Sequence, residues 1–139
     1  MAFQNPSQET IQNVLREKKR IAVVGLSNNP ERTSYEVSKA MQDAGYDIIP
    51  VNPTIDESLG VKAVSSLKEI DGHVDIVNVF RQSHYLPDIA KEAVDIGADV
   101  LWAQLGVYNE EAAEYAKNHG MTVIMDRCIK LEHAKLPAK

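Results

Sequence analysis

Residues 21–34 read Ile-Ala-Val-Val-Gly-Leu-Ser-Asn-Asn-Pro-Glu-Arg-Thr-Ser, IAVVGLSNNPERTS. The run Ile21–Gly25 is short, continuous, apolar and rich in β-branched residues, the pattern of a parallel strand buried on both faces. A small polar loop follows. Residues 34–44 then carry Val37, Ala40, Met41 and Ala44 at i, i+3, i+4, i+7, which predicts a helix closed by Gly45. Thr33 and Glu36 have the spacing of a capping box. Strand, glycine, polar loop and helix open a nucleotide-binding α/β unit, yet Gly25-x-Ser27 stands where G-x-G is usual and no third glycine follows.

The alternation continues along the chain. Before it, residues 7–18 read as a helix capped by Ser7, with Ile11, Val14 and Leu15 as its apolar stripe. After it come a strand at Ile48–Val51 closed by Asn52-Pro53, a short strand at Val61–Val64 and a helical turn at Leu67–Ile70. Val74–Phe80 is a strand, residues 84–96 a helix with Pro87 in its first turn, and Val100–Ala103 a strand. Residues 110–118 form a helix with Asn109 as its cap and Gly120 as its stop. Thr122–Met125 is the last strand, and a helix covers 129–135. Strands separated by helices imply parallel pairing with right-handed crossovers. The fold class is therefore α/β: a doubly wound parallel sheet, Rossmann-like, in three α/β/α layers. The expected strand order is 3-2-1-4-5-6 with a short third strand, and a flavodoxin-like order is the competing topology. No repeat, linker or composition shift divides residues 1–139, which read as one domain.

Composition removes several classes of function. The net charge of −5 on 139 residues, without a long charge run, argues against a nucleic-acid binder, which needs a basic face. An anionic small ligand remains compatible, since helix N-termini and a few cations hold it locally. Cys128 is the single cysteine, so no internal disulfide or paired-cysteine metal site can form. The opening MAFQNPSQET has neither basic nor apolar signal regions, and no apolar run approaches the ~20 residues of a membrane span. A cytoplasmic protein with no membrane partner is the expectation.

In this architecture ligands bind beyond the carboxyl ends of the strands. Those ends carry Gly25-Leu26-Ser27-Asn28-Asn29-Pro30, Asn52-Pro53-Thr54, Phe80-Arg81-Gln82-Ser83, Gln104-Leu105-Gly106 and Asp126-Arg127-Cys128. Each loop alone reads as ordinary polar connection; together they favour a site along this edge. Gly25 admits a ligand close to the backbone, the helix beginning near Ser34 offers free N–H groups, Ser27, Thr33 and Ser34 add hydroxyls, and Arg32 adds charge. That is chemistry for a phosphate or diphosphate. The competing reading gives Thr33 to capping, Pro30 to a turn and Arg32 to solvent. NAD is disfavoured, because its ribose wants Asp or Glu at the end of the second strand and Val51-Asn52-Pro53 stands there. No G-x-x-x-x-G-K-[ST] phosphate loop occurs.

The segments VVGLSNNPERTSYEV, IIPVNP, VDIVNVFR, LWAQLGVYNEEAAEYA and DRC, in this order, resemble the small stand-alone CoA-binding domain proteins of bacteria. These in turn are similar to the nucleotide-binding domain of the succinyl-CoA synthetase alpha subunit. The resemblance covers about residues 10–135. It implies a Rossmann-like fold that binds coenzyme A or an acyl-CoA. By the same resemblance Gly25, Ser27, Arg32, Thr33 and Ser34 line the phosphates, and Asn52 and Pro53 flank the adenosine. Phe80 and Arg81 border the diphosphate or pantetheine path, with Gln104 and Gly106 further along it. Arg32 is the first choice for the 3′-phosphate.

No catalytic constellation and no metal site is assigned. A synthetase of that type needs a phosphorylatable histidine and a nucleotide-grasping partner. His73 and His119 read as surface residues, His133 lies on the last helix, and His84, nearest the site, reads as a helix-start residue. Cys128, beside Arg127, is read as a buried, inert thiol, with a mixed disulfide to the CoA thiol as the sharper alternative. The expectation is a non-catalytic binding or regulatory module, monomeric or weakly homodimeric. The alternatives are an NAD(H)-responsive regulatory domain and a CoA-carrying subunit that docks to a separate acyl-CoA ligase or transferase.

Overall fold

The computed structural model describes residues 3–136. Five parallel strands form the central sheet: β1 (Arg20–Val24), β2 (Asp47–Val51), β5 (Ile76–Val79), β6 (Val100–Ala103) and β7 (Thr122–Ile124), in the spatial order β2-β1-β5-β6-β7. A separate two-stranded hairpin, β3 (Glu57–Ser58) and β4 (Val61–Lys62), lies between β2 and β5 in sequence. The helices are α1 (Gln8–Glu17), α2 (Thr33–Asp43), α3 (Leu86–Asp95), α4 (Glu110–Asn118) and α5 (Ile129–Ala134).

Strand alternation sorts the core into two layers. Ile21, Val23, Ile48, Ile76, Trp102 and Ile124 point to the face covered by α1, α2 and α5. Ala22, Val51, Val77, Val79, Leu101 and Val123 point to the face covered by α3 and α4. Because every central position is covered on both sides, these strands read as continuous apolar runs. Trp102, fully buried, donates its indole N–H to the Arg127 carbonyl at 2.9 Å, so it belongs to the core rather than to an interface. Ser7 and Asn109 cap α1 and α4 as expected, accepting the amides of Thr10 and Ala112.

The strand order differs from the expected 3-2-1-4-5-6: the short third strand does not join the sheet, and the five strands that remain, numbered within the sheet, run 2-1-3-4-5, the competing flavodoxin-like order. Val61 and Lys62 pair antiparallel with Ser58 and Glu57 instead of joining the sheet. Only Val64 meets β2, through a single parallel bridge to Val51. The cause is a tight turn in which Leu59 (φ 57°) and Gly60 (φ 75°) both take the left-handed conformation that two-residue hairpins require. The Gln42 side-chain amide braces the turn by donating to the Leu59 carbonyl at 3.1 Å. β2 is thereby left as a near-edge strand, which is why it tolerates Pro50. Among the described residues no helix is long and apolar enough to cross a membrane.

At the amino edge an ion-pair network stitches three strands. The Asp75 carboxylate accepts the amides of Lys19 and Arg20 at 3.0 Å each, while Asp99 takes Lys18 Nζ at 3.1 Å and His73 Nε2 at 3.0 Å. Desolvation pushes the Asp99 carboxyl up, but hydrogen bonds from His73 and Lys18, and the charges of Lys18 and His73, outweigh it and hold the group below its ordinary value. A lowered folded pKa gives stability that is present above the unfolded pKa, near pH 4, and lost as pH falls through the folded value. Asp99→Asn is therefore expected to lower the denaturation midpoint at pH 7, with the deficit closing below about pH 4; a deficit of equal size at pH 3 and pH 7 contradicts this role.

Candidate functional site

The carboxyl edge is built where three loops leave the sheet together. Gly25 N–H donates to Val51 O at 2.9 Å and Phe80 N–H to Val24 O at 2.9 Å, so the loops after β1, β2 and β5 part from adjoining points. Gly25 has φ 89°, and a Cβ there would lie 2.7 Å from the Phe80 carbonyl oxygen and 3.0 Å from Arg81 Cδ. The glycine is needed for the approach of the next loop, not only for that of a ligand.

The β1 loop is held from within. Ser27 N–H donates to Ser34 Oγ at 3.0 Å, and Ser27 Oγ accepts the Asn29 amide at 3.0 Å. Leu26 is buried beneath the loop. Asn52 Nδ2 reaches back to the Leu26 carbonyl at 3.0 Å, and the Ser58 hydroxyl donates to the Ser27 carbonyl at 2.8 Å. Thus Ser27, Ser34 and Asn52 come together, but much of their hydrogen bonding is spent on the loop itself. The other Asn52 atom, Oδ1, accepts the Thr54 amide and hydroxyl at 2.9 and 2.7 Å.

The Thr33–Glu36 capping box does not form. α2 begins one residue earlier, so Thr33 is its first helical residue and Arg32 takes the cap position, without a side-chain cap bond. Glu36 N–H bonds Arg32 O, and among the described residues the amides of 33–35 have no acceptor. These donors sit at the positive end of an eleven-residue helix. Arg32 and Thr33 are exposed beside them, and no ion pair engages Arg32 among the described residues.

On the α3 side of the same edge lies a cleft of about 220 Å³. It is lined by Val24, Val51, Pro53, Leu67 and Ile89, and by the carboxylates of Asp88 and Glu92. Arg81 also lines it, its guanidinium 4.3 Å from the centre of the Tyr85 ring. Phe80 turns the other way and packs against the opposite core layer.

Further along, Gln104 is buried, and its amide donates to Asn78 Oδ1 at 2.6 Å. Asn78 is a buried polar residue in the middle of β5, and nothing in its apolar surroundings in the sequence marked it. Gly106 donates to Asp126 Oδ1 at 2.8 Å, and Ser83 Oγ accepts the Tyr108 amide at 3.0 Å, tying the last three loops together. Cys128 is half-buried ahead of α5. The Tyr108 phenol is pushed up by desolvation, then by its 3.0 Å hydrogen bond to Glu110 and that group's charge, and is neutral at pH 7. The arrangement offers donors, cations and a partly apolar cleft, and therefore binding chemistry for a phosphorylated ligand.

The model of the CoA binding domain family matches residues 19–134, so the chain belongs to that family. It is 66% identical over 132 residues to YneT of Bacillus subtilis, covering 95% of this chain and 98% of that protein. It is 33% identical over 131 residues to the alpha subunit of an ADP-forming acetate–CoA ligase II of Pyrococcus furiosus, spanning 85% of this chain but only 29% of the ligase subunit. A solved Pyrococcus horikoshii protein superposes with a TM-score of 0.91 at 34% identity, over 98% of this chain and 99% of its own.

The Gly25–Phe80 seam is testable by stability alone. Gly25→Ala adds a backbone clash to a left-handed conformation and is expected to cost about 3 kcal/mol. Gly120→Ala, at φ 88° with open space around it, carries the conformational cost alone, about 1 kcal/mol. Equal losses for the two in urea denaturation contradict the close approach.

Proposed function

We propose that this member of the CoA binding domain family binds coenzyme A or an acyl-CoA along the carboxyl edge of its sheet, as a binding or regulatory module without chemistry of its own. The observation that carries the reading is the uncapped start of α2, where the amides of 33–35 lack acceptors beside an exposed Arg32. A diphosphate supplies such acceptors and meets the helix dipole with the right sign. The cleft at Val51 and Pro53, with apolar walls at Val24 and Ile89, lies next along the edge, on the other side of the Gly25–Phe80 seam, and suits the adenosine. The pantetheine arm then runs over Phe80 and Arg81 toward Gln104 and Gly106. Arg32, the cation at the loop, is assigned the 3′-phosphate. NAD fits less well: Asn52 at the end of β2 carries no charge and spends both ends of its amide on the loops.

A second reading, in which this chain carries CoA to a separate acyl-CoA ligase or transferase, is favoured by one finding. The acetate–CoA ligase relative is much longer than the region it shares with this chain.

Coenzyme A is expected to raise the melting temperature more than NAD or ATP at equal concentration. Saturation at a hundred times Kd corresponds to about 2.7 kcal/mol. Equal shifts with all three, or none, overturn the reading. Arg32→Ala is expected to weaken CoA about tenfold while leaving dephospho-CoA nearly unchanged, as for a lost charge-assisted hydrogen bond. Equal weakening of both in calorimetry removes Arg32 from the 3′-phosphate.

A further inference from the structure

The amino edge of the sheet gathers three side chains of mixed chemistry. His73 lies in the loop that leads into β5, Asp75 immediately before that strand and Asp99 immediately before β6. The main chain sets the two acids side by side, because the amides of Asp99 and Val100 both donate to the Asp75 carbonyl, at 3.1 and 2.9 Å. Arg20 fixes the backbone of His73 by donating to its carbonyl at 3.0 Å. His73 Nε2 then lies 3.0 Å from Asp99 Oδ2 and 3.5 Å from Asp75 Oδ1, and one ligand atom from each residue falls within 4.8 Å of the others. Asp75 gives only Oδ2 to the amides of Lys19 and Arg20; among the described residues its Oδ1 accepts no hydrogen bond.

We propose that His73, Asp75 and Asp99 hold a divalent transition-metal ion of the Zn²⁺ class, at the opposite end of the sheet from the proposed coenzyme A site. Zn²⁺ bonds imidazole nitrogen and carboxylate oxygen at about 2.0–2.2 Å, which puts neighbouring donors of one ion about 3.0–3.5 Å apart. Both contacts of His73 Nε2 have that spacing. The amides on Asp75 Oδ2 orient the carboxylate and leave Oδ1 for the ion, as hydrogen bonds behind a metal ligand do. One imidazole with two carboxylates favours Zn²⁺ or Co²⁺ over Mg²⁺ and Ca²⁺, which prefer oxygen alone. The local field has the right sign, since α3 ends at Asp95, shortly before Asp99, and presents its negative end to this edge. The side chains of His73, Asp75 and Asp99 are 52%, 24% and 36% exposed, so an ion reaches them from solvent. Lys18 opposes it: its Nζ lies 3.1 Å from the same Asp99 oxygen that faces His73, so ammonium and metal compete for one carboxylate.

The test is a calorimetric titration of Zn²⁺ into the full chain, stripped of metal by a chelator and carrying no added histidines, in an excess of Mg²⁺. A single equivalent is expected to bind and to raise the melting temperature by mass action. His73→Gln, whose amide can still donate to Asp99, is expected to lose that equivalent while its circular dichroism spectrum stays that of the wild type. Lys18→Ala is expected to bind Zn²⁺ about tenfold more tightly, because a cation beside the ion is gone. An ion-pair cluster with no metal-binding role gains nothing from that change. His84→Ala, at the carboxyl edge, is expected to leave the titration as it was. Absence of binding, full binding by His73→Gln, weaker binding by Lys18→Ala, or loss of binding in His84→Ala overturns the inference.

Discussion

The site depends on one close approach, that of the backbone at Gly25 to the Phe80 carbonyl. Two hydrogen bonds at the end of the ladder, Gly25 to Val51 and Phe80 to Val24, bring three loops off the sheet within one residue of each other. With a side chain at 25 the two backbones would have to separate, because the added carbon would sit 2.7 Å from the Phe80 oxygen. That separation would shift Arg81, which packs against the same point, and with it one wall of the α3 cleft. The glycine that first reads as an opening for a ligand is also the point on which the loops of this edge are joined.

The two edges of the sheet are consequently built in different ways. At the amino edge polar groups pair with one another: Lys18, His73, Asp75 and Asp99 close a network across β1, β5 and β6. At the carboxyl edge internal hydrogen bonds fix the loops, while among the described residues the amides of 33–35 and the Arg32 guanidinium keep unspent capacity. Helix dipoles reinforce the contrast, since every crossover helix starts near the carboxyl edge. Hydrogen bonds within the loops fix the donors in place, an arrangement that reduces the ordering cost of the proposed binding.

The layers and the parallel run of the five central strands were legible because each strand is short, apolar and bounded by glycine, asparagine or a helix cap. Ser7 and Asn109 worked as written, since a side-chain acceptor and the first helical turn are local in sequence. What the sequence left hidden was non-local. The Val61–Val64 strand was diverted by a turn at Leu59-Gly60, where leucine takes a conformation that its residue type does not announce. Thr33 lost its capping role through a one-residue shift in the helix start. Asn78 looked like one more member of an apolar strand until Gln104 folded onto it. Nothing in the sequence singles out Asp88 and Glu92; only the fold sets them along the cleft beside Val51 and Ile89.

The account stands on the claim that the carboxyl edge of the sheet, and not its amino edge, receives the ligand. Amide chemical-shift mapping during a titration with coenzyme A tests this residue by residue. The predicted result is saturable shifts at residues 25–35, 52–54 and 80–83, with residues 97–99 and 119–121 unmoved. Shifts confined to the amino edge, or absent at saturating coenzyme A, would contradict it.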